Sequence, residues 1–181
     1  MILGLDISTS CTGWCILDSN QNLIDMGMIN LSKVKSVYQK ANHVRTSLEK
    51  ISDAYEIKKV YIEENLQSFR SGFSSAKTLS TLARFNGIVS FIAYEIFNTE
   101  PVHVNVNAAR KSLGIKLVRK KDGGKPTKDQ VLEWVQSNIS FPWPRKLLKS
   151  GPRKGLEIND PGCFDMADAY VISLAGMKMN I

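Results

Sequence analysis

Ile2-Leu3-Gly4-Leu5-Asp6-Ile7-Ser8-Thr9-Ser10 decides how the rest of the chain is read. Ile2, Leu3, Leu5 and Ile7 have the composition of a strand buried on both faces, and a lone carboxylate inside such a strand is costly unless it has a partner. Two readings fit Asp6. It caps a turn after a short edge strand, or it ligates a metal ion that restores the lost solvation. Two later groups of carboxylates favour the ligand.

Working outward, Trp14–Asp18 and Leu23–Ile29 are further apolar stretches separated by short polar turns, so the first thirty residues read as an antiparallel meander. Val34, Val37, Ala41, Val44, Leu48 and Ile51 form an apolar stripe that predicts a helix from Lys33 to Tyr55. Ile57 to Glu63 reads as a strand, and a strand after a helix implies a right-handed parallel crossover. Gln67 to Ser75 reads as a loop, Ala76 to Phe97 as the longest helix, and Val102 to Val106 as a fifth strand. Asn107 to Leu113 and Lys128 to Asn138 read as helices, and Phe141 to Gly155 as irregular. Asp160 to Met177 reads as a last helix with Asp160 as N-cap and Pro161 at its first position. The expected fold is α/β, a mixed five-stranded sheet with helices on both faces, in a single domain over residues 1–181.

Composition is that of an ordinary globular protein, 43% hydrophobic and 23% charged. No apolar run is long enough to span a bilayer, and a strand beginning straight after Met1 leaves no room for a signal peptide, so a cytoplasmic protein is expected. Cys11, Cys15 and Cys163 form neither a zinc pattern nor an even disulfide framework, and read as buried thiols. The net charge is +7. Arg110 to Lys154 holds thirteen Lys and Arg against three acids, a net of +10, which leaves the rest at −3. Because Gly and Pro are interspersed, these cations sit largely on loops, which suits phosphate contacts; Lys120, Lys121, Arg153 and Lys154 are the candidates.

Carboxylates recur in three places. Asp6 lies in the first strand, Glu63 ends the fourth, and Asp165 and Asp168, three apart, share one face of the last helix. Four like charges converging in a partly dry site repel unless cations bind, and oxygen-only ligands suit hard divalent ions. Two such ions roughly 4 Å apart form the clamp used for in-line phosphodiester hydrolysis. Glu64 competes with Glu63, but strand alternation admits only one. His43 and His103 read as isolated residues and Trp134 and Trp143 as packing residues.

Asp6-Ile7-Ser8-Thr9-Ser10-x-Thr12-Gly13-Trp14, the Ile62-Glu63 strand end and Asp165-x-x-Asp168-Ala169 together resemble the RuvC-type Holliday junction resolvases of the RNase H-like superfamily. The resemblance runs over nearly the whole chain. It implies an RNase H-like fold and a metal-dependent endonuclease cutting four-way and branched DNA as a homodimer. Two Mg²⁺, replaceable by Mn²⁺, would be held by Asp6, Glu63, Asp165 and Asp168, with no small-molecule cofactor. It also selects Glu63 over Glu64. Lys128 matches a family lysine near the scissile phosphate, so it is both a catalytic and a DNA-binding candidate, and Arg110 falls at another basic position. The family carries an aromatic residue shortly after the strand-end Glu; here the nearest position is Leu66, with Phe69 and Phe73 slightly later and Arg70 between them. Phe69, Arg70 and Phe73 are therefore expected to reach the junction centre. The longer basic segment from Arg145 to Lys154 departs from the bacterial enzymes and is similar to the resolvases of phages and viruses. The Ala76–Phe97 helix, apolar around much of its circumference, is the expected dimer interface through Phe85 and Ile92.

Two rival functions share some of these residues. Asp followed by Ser-Thr-x-x-Thr-Gly also resembles the phosphate motif of sugar and acetate kinase-like ATPases, which predicts a duplicated domain and a Gly-rich adenosine site. An RNase H-like nuclease acting on RNA–DNA hybrids would use the same acids.

Overall fold

The computed structural model describes residues 1–64 and 76–181. Phe69, Arg70 and Phe73, and the loop expected over Gln67–Ser75, lie outside the described residues. Strands β1 (Ile2–Ile7), β2 (Cys11–Leu17) and β3 (Leu23–Asn30) form the expected meander. Helix α1 (Val37–Ala54) leads to β4 (Lys59–Glu63), which lies parallel to β1, and α2 (Ala76–Phe97) precedes β5 (Val102–Val104), parallel to β4. The sheet order is β3-β2-β1-β4-β5. Then come α3 (Val106–Ser112), α4 (Thr127–Asn138), β6 (Arg145–Leu147), β7 (Glu157–Asn159) and α5 (Cys163–Met179).

Side-chain alternation divides the sheet into two faces. Leu3, Leu5, Ile7, Val60 and Ile62 pack against Val44 and Leu48 of α1 and Phe85, Val89 and Ile92 of α2. Tyr61 and Cys15 face the opposite way, into a second cluster with α3, α4 and α5. Helices thus cover both faces. Each fully buried Leu or Ile in these clusters contributes about 1.5–3 kcal/mol relative to exposure. Helix α5 is buried nearly all round, including Met166, Ala167, Ala169, Tyr170, Val171, Ile172 and Ser173, because it lies between the sheet and helices α3 and α4. A helix apolar on every side belongs at such a position, and it carries Asp165 and Asp168 inward with it.

The meander turn explains the hydroxyl cluster after Asp6. The Ser8 hydroxyl donates to the Cys11 carbonyl at 2.7 Å and accepts the Cys11 N–H at 3.1 Å. It is engaged in reversing the chain, as Ser in such turns commonly is.

Several boundaries differ from expectation. Helix α1 begins at Val37 rather than Lys33, because the Val34 N–H closes a turn onto the Leu31 carbonyl. Strand β5 stops at Val104 because the Asn105 side chain caps α3, accepting from the Asn107 and Ala108 N–H groups. Helix α5 begins at Cys163, not Asp160; the Asp160 carboxylate instead accepts the Gly162 N–H at 2.9 Å, in a turn that precedes the helix. Pro161 lies in that turn. The segment expected to be irregular, Phe141 to Gly155, contains strand β6, which pairs antiparallel with β7 just beyond it in a ribbon, with Arg145 opposite Asn159 and Leu147 opposite Glu157. Arg145 donates across the ribbon to Asn159 Oδ1 at 2.6 Å and to the Glu157 carbonyl at 3.2 Å. Such polar cross-strand pairs leave no apolar alternation in the sequence. Finally, Phe85 and Ile92 of α2 are 0% and 4% exposed and belong to the core. The expected interface through them is ruled out.

Candidate active site

Parallel pairing sets Leu5 beside Ile62, so one residue further along, Asp6 and Glu63 leave neighbouring strands on the α5 side of the sheet. Close approach of α5 completes the group. A Cβ on Gly4 would stand 2.5 Å from the Ala169 carbonyl, and one on Gly13 only 2.0 Å from the Asp165 carbonyl. These two glycines let the helix lie directly on β1 and β2. As a result one carboxylate oxygen from each of Asp6, Glu63 and Asp168 lies within 4.8 Å of the other two. Three oxygen donors from three elements at this spacing suit a hard divalent cation.

Asp165, one turn earlier on α5, borders this group without joining the three-oxygen cluster. The neighbouring Cys11 thiol lowers its pKa. Glu63, not Glu64, faces the cluster; the Glu64 carboxylate accepts from Asn105 Nδ2 at 3.2 Å.

Electrostatics match the crowding. Burial raises Asp6 well above the ordinary carboxylate range, and the charges of Glu63, Asp168 and Asp165 raise it further. Glu63 rises to about 7 through burial and the Asp168 charge, and Asp165 to about 6, chiefly through burial. Asp168 is also raised by burial, held back by Arg110. Arg110 donates to Asp168 Oδ1 at 3.2 Å, both side chains being mostly buried. Expected at the DNA, it stands inside the acid group as its internal counter-charge, with Nε buried and without a hydrogen-bond partner.

Lys128 stands at the rim. Its ammonium lies 4.5 Å from the centre of the Phe164 ring, and its charge lowers the pKa of Asp165. A cation over a ring face is held without being neutralised. Lys120 and Lys121 occupy an exposed 3₁₀ turn, in a loop clasped by Gln130, which accepts the Val118 N–H and donates to the Val118 and Lys125 carbonyls. Arg153 and Lys154 are exposed in the turn that joins β6 to β7.

A search of solved structures finds Thermus thermophilus RuvC at a TM-score of 0.62 and 16% identity, covering 99% of this chain and 94% of that one. The chain has the RuvC fold. The T. thermophilus RuvC complex with a Holliday junction substrate matches equally well, at 0.62 and 14% identity over 99% and 93%. The yeast mitochondrial Holliday junction resolvase Ydc2 matches at 0.56 and 16% over 98% of this chain and 77% of that one. No protein-family model and no curated protein sequence matches.

Sequence reasoning expected Asp6, Glu63, Asp165 and Asp168 in one group. On this RuvC fold Asp6, Glu63 and Asp168 come together, Asp165 stands beside them, and Lys128, expected near a scissile phosphate, neighbours Asp165. Sequence reasoning passed over Cys11 as a partner of Asp165, Phe164 as the ring beneath Lys128, and Asn86. The last, buried in α2, donates to the Glu63 carbonyl at 3.4 Å and steadies the end of β4. A polar residue within the apolar stripe of α2 was the available signal for Asn86. Cys11 and Phe164 carried none.

The raised carboxylates set a pH dependence. Groups whose folded pKa exceeds the unfolded one favour the fold while protonated, so that contribution is present below the ordinary carboxylate range and is lost as pH rises through about 6 and about 7. Metal-free protein is therefore expected to melt roughly 5–10 °C lower at pH 8 than at pH 5. Added divalent cation should recover most of that difference at pH 8 and little at pH 5, where protons compete for the ligands. Thermal scans with and without chelator measure both.

Proposed function

We propose that the chain is a Holliday junction resolvase, a divalent-metal-dependent endonuclease that resolves four-way and branched DNA by paired symmetric phosphodiester hydrolysis. The observation that carries this reading is the convergence of Asp6, Glu63 and Asp168 on the RuvC fold, with cationic Lys128 at the rim and a basic loop segment nearby in the sequence. Mg²⁺ is the ion assigned, two per site with Mn²⁺ able to substitute, and no small-molecule cofactor is invoked. When bound, such ions supply a nucleophilic hydroxide and stabilise the leaving 3′ oxygen. Asp6, Glu63 and Asp168 would hold them, with Asp165 as a neighbouring carboxylate. Arg110 limits repulsion within the group before the ions arrive. Lys128 offers its ammonium to a phosphate oxygen. Lys120, Lys121, Arg153 and Lys154 contact flanking phosphates, and Phe69, Arg70 and Phe73 are assigned to the junction centre.

Residues 1–181 act as one nuclease domain in this reading, resembling resolvases of phages and viruses in the basic Arg145–Lys154 segment. No described helix is long and apolar enough to cross a membrane. Three buried free cysteines suit the reducing cytoplasm assigned to the protein.

Labelled four-way junction, linear duplex and RNA–DNA hybrid, incubated with the protein in Mg²⁺ or chelator, test the proposal. Paired symmetric nicks in the junction, dependent on metal, are expected. Cleavage of the hybrid with the junction left intact would instead make the protein an RNase H-like nuclease.

A two-fold substrate needing two nicks calls for a dyad, and α2 offers a different face from the one expected. Phe91 and Tyr94 are 58% and 48% exposed, with ring centres 6.5 Å apart, and a Cβ on Gly87, one turn before Phe91, would meet open space. Phe91→Glu is expected to give a folded monomer that nicks junctions without coordinated resolution. Sedimentation and product analysis check it, and a Phe91→Glu protein that stays dimeric would move the interface elsewhere.

A further inference from the structure

A cleft of about 280 Å³ adjoins the acid site, formed by residues from the ends of the β2–β3 hairpin, the turn ahead of α5 and the first strand of the β6–β7 ribbon. Asp165 belongs to both the cleft and the acid site. Cys11, Met28 and Pro161 give it apolar surface, and Asn30, Asp160 and Lys146 give it polar groups. Its volume falls just below the roughly 300–1,000 Å³ of pockets for whole small ligands, so it has room for one base rather than a stacked pair.

The polar groups are oriented by their neighbours. Asn30 Oδ1 takes both the Ser32 N–H at 3.0 Å and the Ser32 hydroxyl at 2.6 Å, which leaves the amide NH₂ as a donor. Asp160 Oδ1 takes the Gly162 N–H, which leaves its second oxygen as an acceptor. Lys146 follows Arg145, whose cross-strand bonds to Asn159 and Glu157 fix the ribbon. A donor, an acceptor and an ammonium around an apolar surface form the combination that reads a base edge and its phosphate.

We propose that this cleft is a nucleoside subsite, which takes the base of the nucleotide next to the scissile phosphate out of the stack while Lys146 contacts that nucleotide's outer phosphate. The proposal rests on the nuclease reading above. Unstacking is cheapest at a branch point, where pairing is already interrupted.

Junctions carrying a single abasic nucleotide at each position flanking the cut test it. Wild-type cleavage should fall at least tenfold at one position and stay within about twofold at the others. Lys146→Ala and Asn30→Ala should each shrink the discrimination at that position to within about threefold. Because the Asn30 change also removes the Ser32 turn contacts, Lys146→Ala on the exposed ribbon is the decisive variant. A second arm needs binding only. With 2-aminopurine at the same position, fluorescence should rise when Asp6→Asn protein binds, and the rise should be lost in Asp6→Asn/Lys146→Ala. Cleavage of intact junctions with no abasic discrimination would overturn the subsite alone. An absent fluorescence rise, or one that survives loss of Lys146, would overturn it too. If no branched DNA is cut at all, the nuclease reading fails, and the fluorescence arm still reports on the cleft.

Discussion

Asp6→Asn, Glu63→Gln and Asp168→Asn are each expected to lower junction cleavage in Mg²⁺ by at least about a thousandfold, some 4 kcal/mol of transition-state stabilisation. Each turns one of three carboxylates, whose oxygens lie within 4.8 Å of one another, into a neutral amide that is a much weaker ligand. Junction binding should survive or tighten, since each change removes a negative charge that repels phosphate. A merely structural role predicts the opposite stability trend from a ligand role. The four carboxylates repel one another in the metal-free protein, so Asp6→Asn should melt higher than wild type at pH 8 in chelator and should lose most of its stabilisation by Mg²⁺. Asp165→Asn is the graded control. Because Asp165 stands outside the three-oxygen cluster, its loss should weaken metal binding and cleavage less than the other three. Near wild-type turnover in Asp6→Asn, Glu63→Gln or Asp168→Asn would remove that residue from the ligand set.

Gly13→Ala should be among the most damaging single-methyl additions in the molecule. The new Cβ would lie 2.0 Å from the Asp165 carbonyl oxygen, 2.2 Å from its carbonyl carbon and 2.7 Å from the Met166 nitrogen. All three are backbone atoms of α5, so no side chain can rotate aside and the helix itself must shift. Overpacking of this kind costs about 1–3 kcal/mol, and the upper end is expected here, a melting temperature lower by roughly 6–12 °C. The same shift carries Asp165 and Asp168 away from Asp6 and Glu63. A misplacement of about 1 Å is worth roughly a hundredfold in rate, so cleavage should fall at least that far even at temperatures where the protein is folded. Gly87→Ala is the contrasting control. Its Cβ meets nothing within 4 Å on an exposed position of α2, and removing a helical glycine should raise stability by up to about 1 kcal/mol. Equal melting temperatures for Gly13→Ala and wild type would mean that α5 does not rest on β2 as described.

Local sequence determined the main strands and helices and singled out the candidate acids. An apolar run interrupted by Asp6, a strand ending in Glu63, and an i,i+3 pair in an otherwise apolar helix are each legible within about ten residues, because burial and period are local properties. The two-faced α/β sheet followed from the same patterns. Tertiary structure alone decided which of the four carboxylates share one ion-sized space. Asp165 and Asp168 look equivalent on a helix projection, yet parallel pairing of β1 with β4 and the tight seat of α5 on Gly4 and Gly13 bring Asp168 to Asp6 and Glu63. Asp165 is left with Cys11. Arg110 reads in the sequence as one cation among thirteen between Arg110 and Lys154, and only the packing of α3 on α5 pairs it with Asp168. Phe85 and Ile92 read as surplus apolar area on α2 until α1 and the sheet enclose them, which transfers the exposed aromatic role to Phe91 and Tyr94. In each case the deciding contact joins residues far apart in the chain, and the energy that selects it arises only once both surfaces have left water.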